Sequence, residues 1–236
     1  MANTTTLAML RKEIRALADS RQAKILQRFF KTGKGEYGEG DVFLGLMVPQ
    51  SRTLAQKYKT LSFTDIEKLL RSAIHEERFI ALLILVHRFQ SGIDDQQARI
   101  FRYYLRSTGM INNWDLVDLT APAIVGRYLF DTSRAVLQKL ARSKNVWERR
   151  IAIVATYYFI RNDQFVDTLR ISRVLLHDGH DLIHKAVGWM LREVGKKNKP
   201  TLVRFLKAHH TTMPRTMLRY AIEKFPERER RGYLAA

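Results

Sequence analysis

The chain has 236 residues, of which 46% are hydrophobic and none is cysteine. This length predicts one large domain or a continuous array of small units. The lack of cysteine excludes disulfides, thiolate metal sites and cysteine nucleophiles. Because 41 Lys and Arg residues face 23 Asp and Glu residues, the formal charge is +18. A surplus of this size indicates a polyanionic partner, with nucleic acid first and an anionic membrane surface second.

No segment of the sequence is suited to crossing a membrane. The longest uninterrupted apolar run, 79–86, has eight residues, whereas a bilayer-spanning helix needs about 20. The first residues, Met-Ala-Asn-Thr-Thr-Thr, lack the basic and then apolar pattern of a signal peptide. We therefore expect a cytoplasmic protein with no membrane partner.

Helical periodicity runs along the chain. Apolar residues recur at spacings of three and four, as in the stripe over 7–17, and five of the 12 glycines fall within 33–45. Ser62 and Asp131 stand where helix N-caps are expected. The predicted helices, in chain order, span 5–18, 21–31, 50–59, 63–73, 76–90, 95–106, 113–128, 132–142, 146–160, 164–175, 180–196, 199–208 and 214–224. The fold class is predicted to be all-α, with short connections between antiparallel neighbours.

Three segments resemble one another at a spacing near 35 residues. They begin at Glu77, Trp147 and Leu182, and a fourth begins at Trp114, 33 residues before the second. A period near 35 made of two helices is typical of an α-solenoid of HEAT-like or armadillo-like repeats. Chance similarity among amphipathic helices is the alternative. We expect residues 1–236 to form a single domain, a monomeric stack with one concave face.

One repeat departs from the pattern of the others. Four positions after the aligned start, three segments carry Ala81, Ile151 and Ala186, whereas the fourth carries Asp118. Trp114 and Asp118 are four residues apart and therefore share a helix face. An indole beside a carboxylate at a packing position predicts a functional site. The alternative is a solvated carboxylate near a helix N-terminus.

Two further residues lie at comparable places in the neighbouring repeats. Arg150 is three residues beyond Trp147, and Trp189 is four beyond Lys185. If the inner helices of successive repeats stand side by side, Arg150 and Trp189 line the same groove as Trp114. The alternatives are that both later tryptophans belong to the core and that Arg150 is one more surface charge.

These blocks, in their order and spacing, resemble the AlkD-type alkylpurine DNA glycosylases of the DNA alkylation repair family. The blocks are Asn113-Trp-Asp-Leu-Val-Asp118, Asn145-Val-Trp-Glu-Arg-Arg150 and Lys185-Ala-Val-Gly-Trp189-Met-Leu-Arg192, preceded by the glycine-rich segment 30–45. The resemblance covers roughly residues 25 to 195. It implies a right-handed HEAT-like solenoid whose concave face binds duplex DNA.

The resemblance also implies an activity, the hydrolysis of the N-glycosidic bond of N3- and N7-alkylated purines such as 3-methyladenine and 7-methylguanine. Such enzymes are monofunctional and use no metal or other cofactor. Asp118 would be the catalytic carboxylate, Trp114 and Trp189 the aromatic walls around the deoxyribose, and Arg150 a ligand of the backbone phosphate. In a bacterial or archaeal cell, DNA binding would place the protein at the nucleoid. The preferred lesion is left open.

The basic surplus is concentrated toward the C-terminus. Residues 194–236 contain 11 Lys and Arg against three Glu. We predict that Lys185, Arg192, Lys196 and Lys197, all on the helix of Trp189, contact DNA phosphates. Favourable interaction of the lysines with the helix C-terminus is the alternative. The stretch 228–231 is expected to be a solvated face or tail.

Two other patterns are not assigned a chemical role. His177, His180 and His184 fall at a predicted turn between helices, so we do not predict a metal site there. The glycine cluster lacks the Gly-Lys-Ser/Thr of a phosphate-binding loop, and we expect a shaped turn in which Tyr37 packs against the first repeat. The rival function is a non-catalytic HEAT-like scaffold that binds nucleic acid or protein. The joint presence of both site tryptophans with Asp118 and Arg150 favours the enzyme.

Overall fold

The computed structural model describes residues 5–235. Among them the regular elements are helices, and the one extended feature is an isolated parallel bridge between Val42 and Ile74. The all-α class predicted from periodicity is confirmed. The chain forms two compact units, the first ending at Leu116 and the second beginning at Val117. The single continuous domain stays a prediction.

The first unit contains α1 (Leu7–Ala16), α2 (Ser20–Phe29), α3 (Val48–Lys57), α4 (Phe63–Leu70), α5 (His75–Ser91) and α6 (Asp94–Arg106). α5 is the central helix and packs against α3, α4 and α6. The apolar run 79–86 lies inside α5 and is buried throughout. Burial on all sides explains why this helix is apolar all round rather than on one stripe. At its N-terminal end, Glu77 accepts two guanidinium bonds from Arg11 of α1.

The second unit is organised around a long helix, α13. After α7 (Trp114–Asp118), which contains the boundary, it holds α8 (Arg127–Phe130), α9 (Ala135–Ala141), α10 (Val146–Val154), α11 (Tyr157–Arg161), α12 (Val166–Val174), α13 (Asp181–Lys197), α14 (Lys199–His209), α15 (Arg215–Ala221) and α16 (Glu227–Ala235). α13 packs against α10, α12, α14 and α15. Gly188 allows α15 to approach α13 closely, since a Cβ at this position would lie 2.5 Å from the backbone oxygen of Met217 in α15.

Two predicted helices are interrupted, and one helix was not predicted. The segment 113–128 divides into α7, a π-helical turn at Pro122–Gly126 and α8. Pro122 has no backbone N–H to donate to the carbonyl of Asp118, so α7 ends there. The segment 146–160 divides into α10 and α11, and the expected tail at 228–231 belongs to α16, a largely exposed helix. Ser62 is an N-cap as predicted, whereas the helix after Asp131 begins at Ala135 without a side-chain cap.

The glycine-rich segment is a shaped turn fastened to the start of α5. The buried carboxylate of Glu76 accepts hydrogen bonds from the backbone N–H groups of Leu44, Gly45 and Leu46, at 2.8 to 3.2 Å. Gly45 has a φ of +94°, and a Cβ there would lie 2.2 Å from the carbonyl oxygen of Asp19. The segment is therefore held by buried hydrogen bonds that only glycine permits at this position.

None of the helices in residues 5–235 combines the length and the apolar content needed to cross a membrane.

Candidate functional site

Asp118 and Arg150 form a two-pronged ion pair in the second unit. Nε of Arg150 donates to Oδ1 of Asp118, and Nη2 donates to Oδ2, each at 2.8 Å. The Arg150 side chain is only 7% exposed and that of Asp118 15%. A planar guanidinium that grips both carboxylate oxygens fixes the plane of the carboxylate and favours its ionised form. The sequence left open that Arg150 is a surface charge, and its burial removes that alternative.

The same arginine links this carboxylate to α13. Nη1 of Arg150 donates to the backbone oxygen of Leu182 at 2.6 Å. Trp189 lies seven residues beyond Leu182, two turns along the same face of the helix, which is about 10 Å of helix rise. Its ring is 5.9 Å from that of Tyr157. Asp118, Arg150 and the N-terminal half of α13 are therefore brought together as predicted for neighbouring repeats.

The three tryptophans differ in burial. Trp147 is a core residue at 7% exposure, whereas Trp114 and Trp189 are only half-buried. The alternative in which Trp147 belongs to the core is thus correct for that residue. Trp189 keeps part of its ring surface accessible, and a packed core tryptophan would not.

The repeat alignment separates packing positions from the site position. Ala81, Ile151 and Ala186, which occupy the aligned position in three repeats, are completely buried. Asp118, the fourth, is partly exposed and bound to Arg150. A carboxylate replaces an apolar side chain here because its partner arrives from α10. The interruption of the apolar pattern therefore coincides with an ion pair, and its part in a functional site stays a prediction.

Trp114 is held within the first unit by other aromatic rings and by the glycine-rich segment. Its ring stacks on Phe30, with centroids 4.9 Å apart and planes at 17°, and contacts the exposed ring of Phe29 edge-on at 5.7 Å. Its indole N–H donates to the hydroxyl of Tyr37 at 3.2 Å. The residue that Tyr37 meets is thus the predicted site tryptophan of a later repeat, and the packing of Tyr37 against the first repeat stays a prediction.

A buried polar cluster next to Trp114 was not found from the sequence. His75 bonds Asp41 through Nδ1 and Asp115 through Nε2, at 3.2 and 2.8 Å. Burial by itself raises the pKa of Asp41, but His75, Arg78 and Asn112 outweigh burial and hold it below its usual range. Asp41 and His75 are 34 residues apart and show no periodicity. The one available signal was a histidine at the start of an otherwise apolar helix.

The basic residues assigned to DNA are paired with acids of the second unit. Lys185 meets Asp181, Lys196 meets Glu193 and Lys197 meets Asp163, while Arg192 contacts Glu193 and Glu223. The three lysine side chains are about two-fifths exposed. Pairs at such exposure contribute little to stability. DNA phosphates can therefore replace these carboxylates at small cost, and the phosphate contacts stay a prediction.

The histidines near α13 serve the local backbone. The ring of His180 accepts from the N–H of Leu182 and caps the helix, and Nε2 of His184 meets the carbonyl oxygen of Asp178. Asp178 itself is gripped by Arg149. Across residues 5–235, no group of three or more His, Asp or Glu side chains is arranged to hold a metal ion.

Comparison with known proteins places this geometry in a family. The family model described as DNA alkylation repair enzyme matches residues 10–225. The chain belongs to this family. A solved structure described as a predicted DNA alkylation repair enzyme from Enterococcus faecalis is similar in fold, with a TM-score of 0.69 at 16% identity, covering 89% of this chain and 97% of that one. No curated protein matches. Membership supports a role in the repair of alkylated DNA, as the resemblance predicted.

Proposed function

We propose that this chain is a DNA glycosylase that hydrolyses the N-glycosidic bond of cationic N3- and N7-alkylated purines in duplex DNA. The observation that carries the proposal is the carboxylate of Asp118, gripped by Arg150 and left partly open to solvent. Family membership over residues 10–225 supports a repair enzyme. Asp118, Trp114 and Trp189 are the residues that we assign to the reaction.

The substrate's own charge explains how one carboxylate is enough. Alkylation at N3 or N7 gives the purine a positive charge, so it leaves as a neutral base without protonation. Ordinary glycosidases, in contrast, need a second carboxylic acid to protonate the leaving oxygen. As the bond from C1′ to nitrogen breaks, the sugar becomes cationic. Water then adds to C1′, and its proton passes to Asp118 and on to solvent.

The chemistry of the assigned side chains fits this charge pattern. The ionised Asp118 stabilises the cationic sugar, and its carboxylate needs no reorganisation because Arg150 already fixes its plane. An indole face carries a negative quadrupole, so Trp114 and Trp189 suit the aromatic roles assigned to them, worth about 1–2 kcal/mol each when water is excluded. Trp114 belongs to the same helix as Asp118, one turn before it.

Arg150 serves the carboxylate first and the DNA second in this proposal. Among the described residues, three of its five N–H groups are engaged, two by Asp118 and one by Leu182. The proposal assigns the other two to a backbone phosphate. A phosphate there would offset the repulsion between DNA and Asp118. Such a contact positions the backbone and carries no sequence information.

A matched pair of variants tests the proposal. Wild-type protein is incubated with methylated duplex DNA, and free 7-methylguanine and 3-methyladenine are measured. Asp118→Asn should lower the release rate by about 100- to 1000-fold. Asp178→Asn is the control, because Asp178 forms a similar two-pronged pair with Arg149 in the same unit. It should lose stability and keep the rate.

The outcomes separate the enzyme from its rival. Equal release by Asp118→Asn and wild type, or none from either, removes the assignment. DNA binding without release would then favour the non-catalytic scaffold. A loss of release in Asp178→Asn as large as that in Asp118→Asn would show that the effect comes from stability rather than from catalysis.

A further inference from the structure

In the first unit, Trp114 lies against an aromatic cluster formed by Phe30, Phe43 and His75. It stacks on Phe30, with 4.9 Å between centroids and 17° between planes. Phe30 stacks on Phe43 with the same distance and angle, and Phe43 stacks on His75 at 4.4 Å and 22°. Phe30, Phe43 and His75 are buried. His75 also contacts Phe30, with 5.2 Å between centroids and 35° between planes, so the three buried rings contact one another and the half-buried indole lies against Phe30.

The imidazole of this cluster lies between two carboxylates. Nδ1 of His75 faces Asp41 at 3.2 Å and Nε2 faces Asp115 at 2.8 Å, so each ring nitrogen has a partner that holds the ring in place. Burial lowers the pKa of His75, but the two carboxylates outweigh burial and the opposing charge of Arg78, and they raise it to about 9. The glycine-rich segment supplies Asp41, α5 supplies Arg78, and α7 supplies Asp115. The ring of His75 is thus an imidazolium near neutral pH.

The two chain neighbours of Trp114 also take part in these contacts. Asp115 is the next residue, and Asn113 on the other side accepts from the Trp114 N–H at 2.8 Å. The amide of Asn113 approaches Asp41 at 3.5 Å. Together with the bond from the indole N–H to Tyr37, these contacts fix the main chain, the ring plane and the ring edge of Trp114.

We propose that His75 is a positioning residue for the reaction: through the ring of Phe30 in the aromatic cluster and through Asp115, it sets the indole plane of Trp114 before the substrate arrives. The inference rests on the proposed glycosylase function. His75 touches no reacting atom. An indole ring that is already held in position stabilises the transition state without reorganisation. An indole that rotates freely must be ordered in each turnover. The expected signature is a slower chemical step with unchanged binding of undamaged DNA.

The first experiment reads the indole directly and needs no activity. The Trp114 Nε1–H resonance is assigned in a proton–nitrogen spectrum by its loss in Trp114→Phe. In His75→Gln this resonance should shift and broaden, and in wild type it should titrate with a midpoint near pH 9. His87→Gln is the matched control, since His87 lies on the same helix as His75 but outside the aromatic cluster. It should leave the resonance unchanged.

The second experiment measures catalysis under single-turnover conditions on methylated duplex DNA. His75→Gln should lower the rate about tenfold and leave the Kd for unmodified duplex within twofold, while His87→Gln matches wild type. If His75→Gln does not fold, Asp115→Asn replaces it, with the same expected results. This change removes the carboxylate charge that faces Nε2 of His75 and keeps the size of the side chain. Asp131→Asn, at an exposed aspartate in the second unit, is its control.

Each possible result either supports or overturns the positioning role of His75. A His75→Gln protein that melts earlier but keeps the wild-type resonance and rate marks His75 as merely structural and overturns the proposal. A shifted resonance with an unchanged rate overturns the positioning role as well. If wild type releases no methylated base, the glycosylase function itself fails. The Trp114 Nε1–H resonance alone then reports whether the aromatic cluster orders the indole.

Discussion

Replacing Arg150 with methionine tests the ion pair most directly, because methionine keeps much of the side-chain length and removes the guanidinium. The change leaves the carboxylate of Asp118 without its partner and the carbonyl of Leu182 without its donor. Breaking a buried pair costs about 3–5 kcal/mol. Water reaches Asp118, which is 15% exposed, so we expect about 3 kcal/mol for the pair. The carbonyl adds about 1 kcal/mol.

Thermal unfolding and single-turnover kinetics measure the two consequences. A loss of about 4 kcal/mol should lower Tm by about 10 °C in a chain of this size. The rate should fall about 10- to 100-fold, since the carboxylate is no longer oriented. Arg149→Met is the control: Arg149 grips Asp178 in the same way and also donates to the carbonyl of Ser143. It should lose similar stability and keep the rate.

A double-mutant cycle with Asp118→Asn isolates the pair itself. The two single changes should be non-additive, with a coupling of about 1–3 kcal/mol. If Arg150→Met melts within 2 °C of wild type, about what 1 kcal/mol would produce, the reasoning from burial is refuted. Arg150 would then act only on DNA, as its sequence-based assignment to a phosphate implies.

Three further predictions concern other parts of the chain. The pKa of His75 is about 9 in the folded protein and 6.5 when exposed, so its stabilisation of about 3 kcal/mol is complete below pH 6.5 and lost as pH rises through 9. Urea unfolding at pH 6 and 9.5 measures this loss, and equal stability at both values contradicts it. Gly45→Ala should cost at least about 2 kcal/mol, because its Cβ meets the Asp19 carbonyl; a change below 0.5 kcal/mol in the same assay argues against this contact. Trp189→Ala should slow base release about 5- to 30-fold, whereas Trp147→Phe, in the core, should lower Tm by a few degrees and keep the rate; the reverse pattern would exchange their roles.

Much of the fold was predictable because helix formation and burial leave a local signature. The apolar run 79–86 predicted a buried helix, and it lies at the centre of the first unit within α5. Ser62 predicted the start of a helix, and its hydroxyl does cap that helix by accepting a hydrogen bond from the backbone N–H of Asp65. The interruptions after Asp118 and Val154 were missed. Their apolar spacing continues across the break, and periodicity does not report where a backbone hydrogen bond is lost.

The site was predictable only where it broke a repeat. Asp118 stood out because three aligned positions are apolar, and the structure confirms that those three are buried. The partnership with Arg150 was not predicted, although both residues were singled out. A spacing of 32 residues says which helices are neighbours in a repeat, but not which side chains meet across them.

The sequence by itself therefore determined the helical class, the repeat positions and the identity of the unusual carboxylate. The first follows from residue spacing within each helix, and the other two follow from the spacing near 35 residues between repeats. Only the tertiary structure decided that Arg150 grips Asp118 and that His75 joins Asp41 to Asp115 behind Trp114. Charged groups pair by distance in space, and it is the packing of apolar helix faces that brings segments far apart in the chain close together. The polar contacts therefore leave no periodic pattern in the sequence.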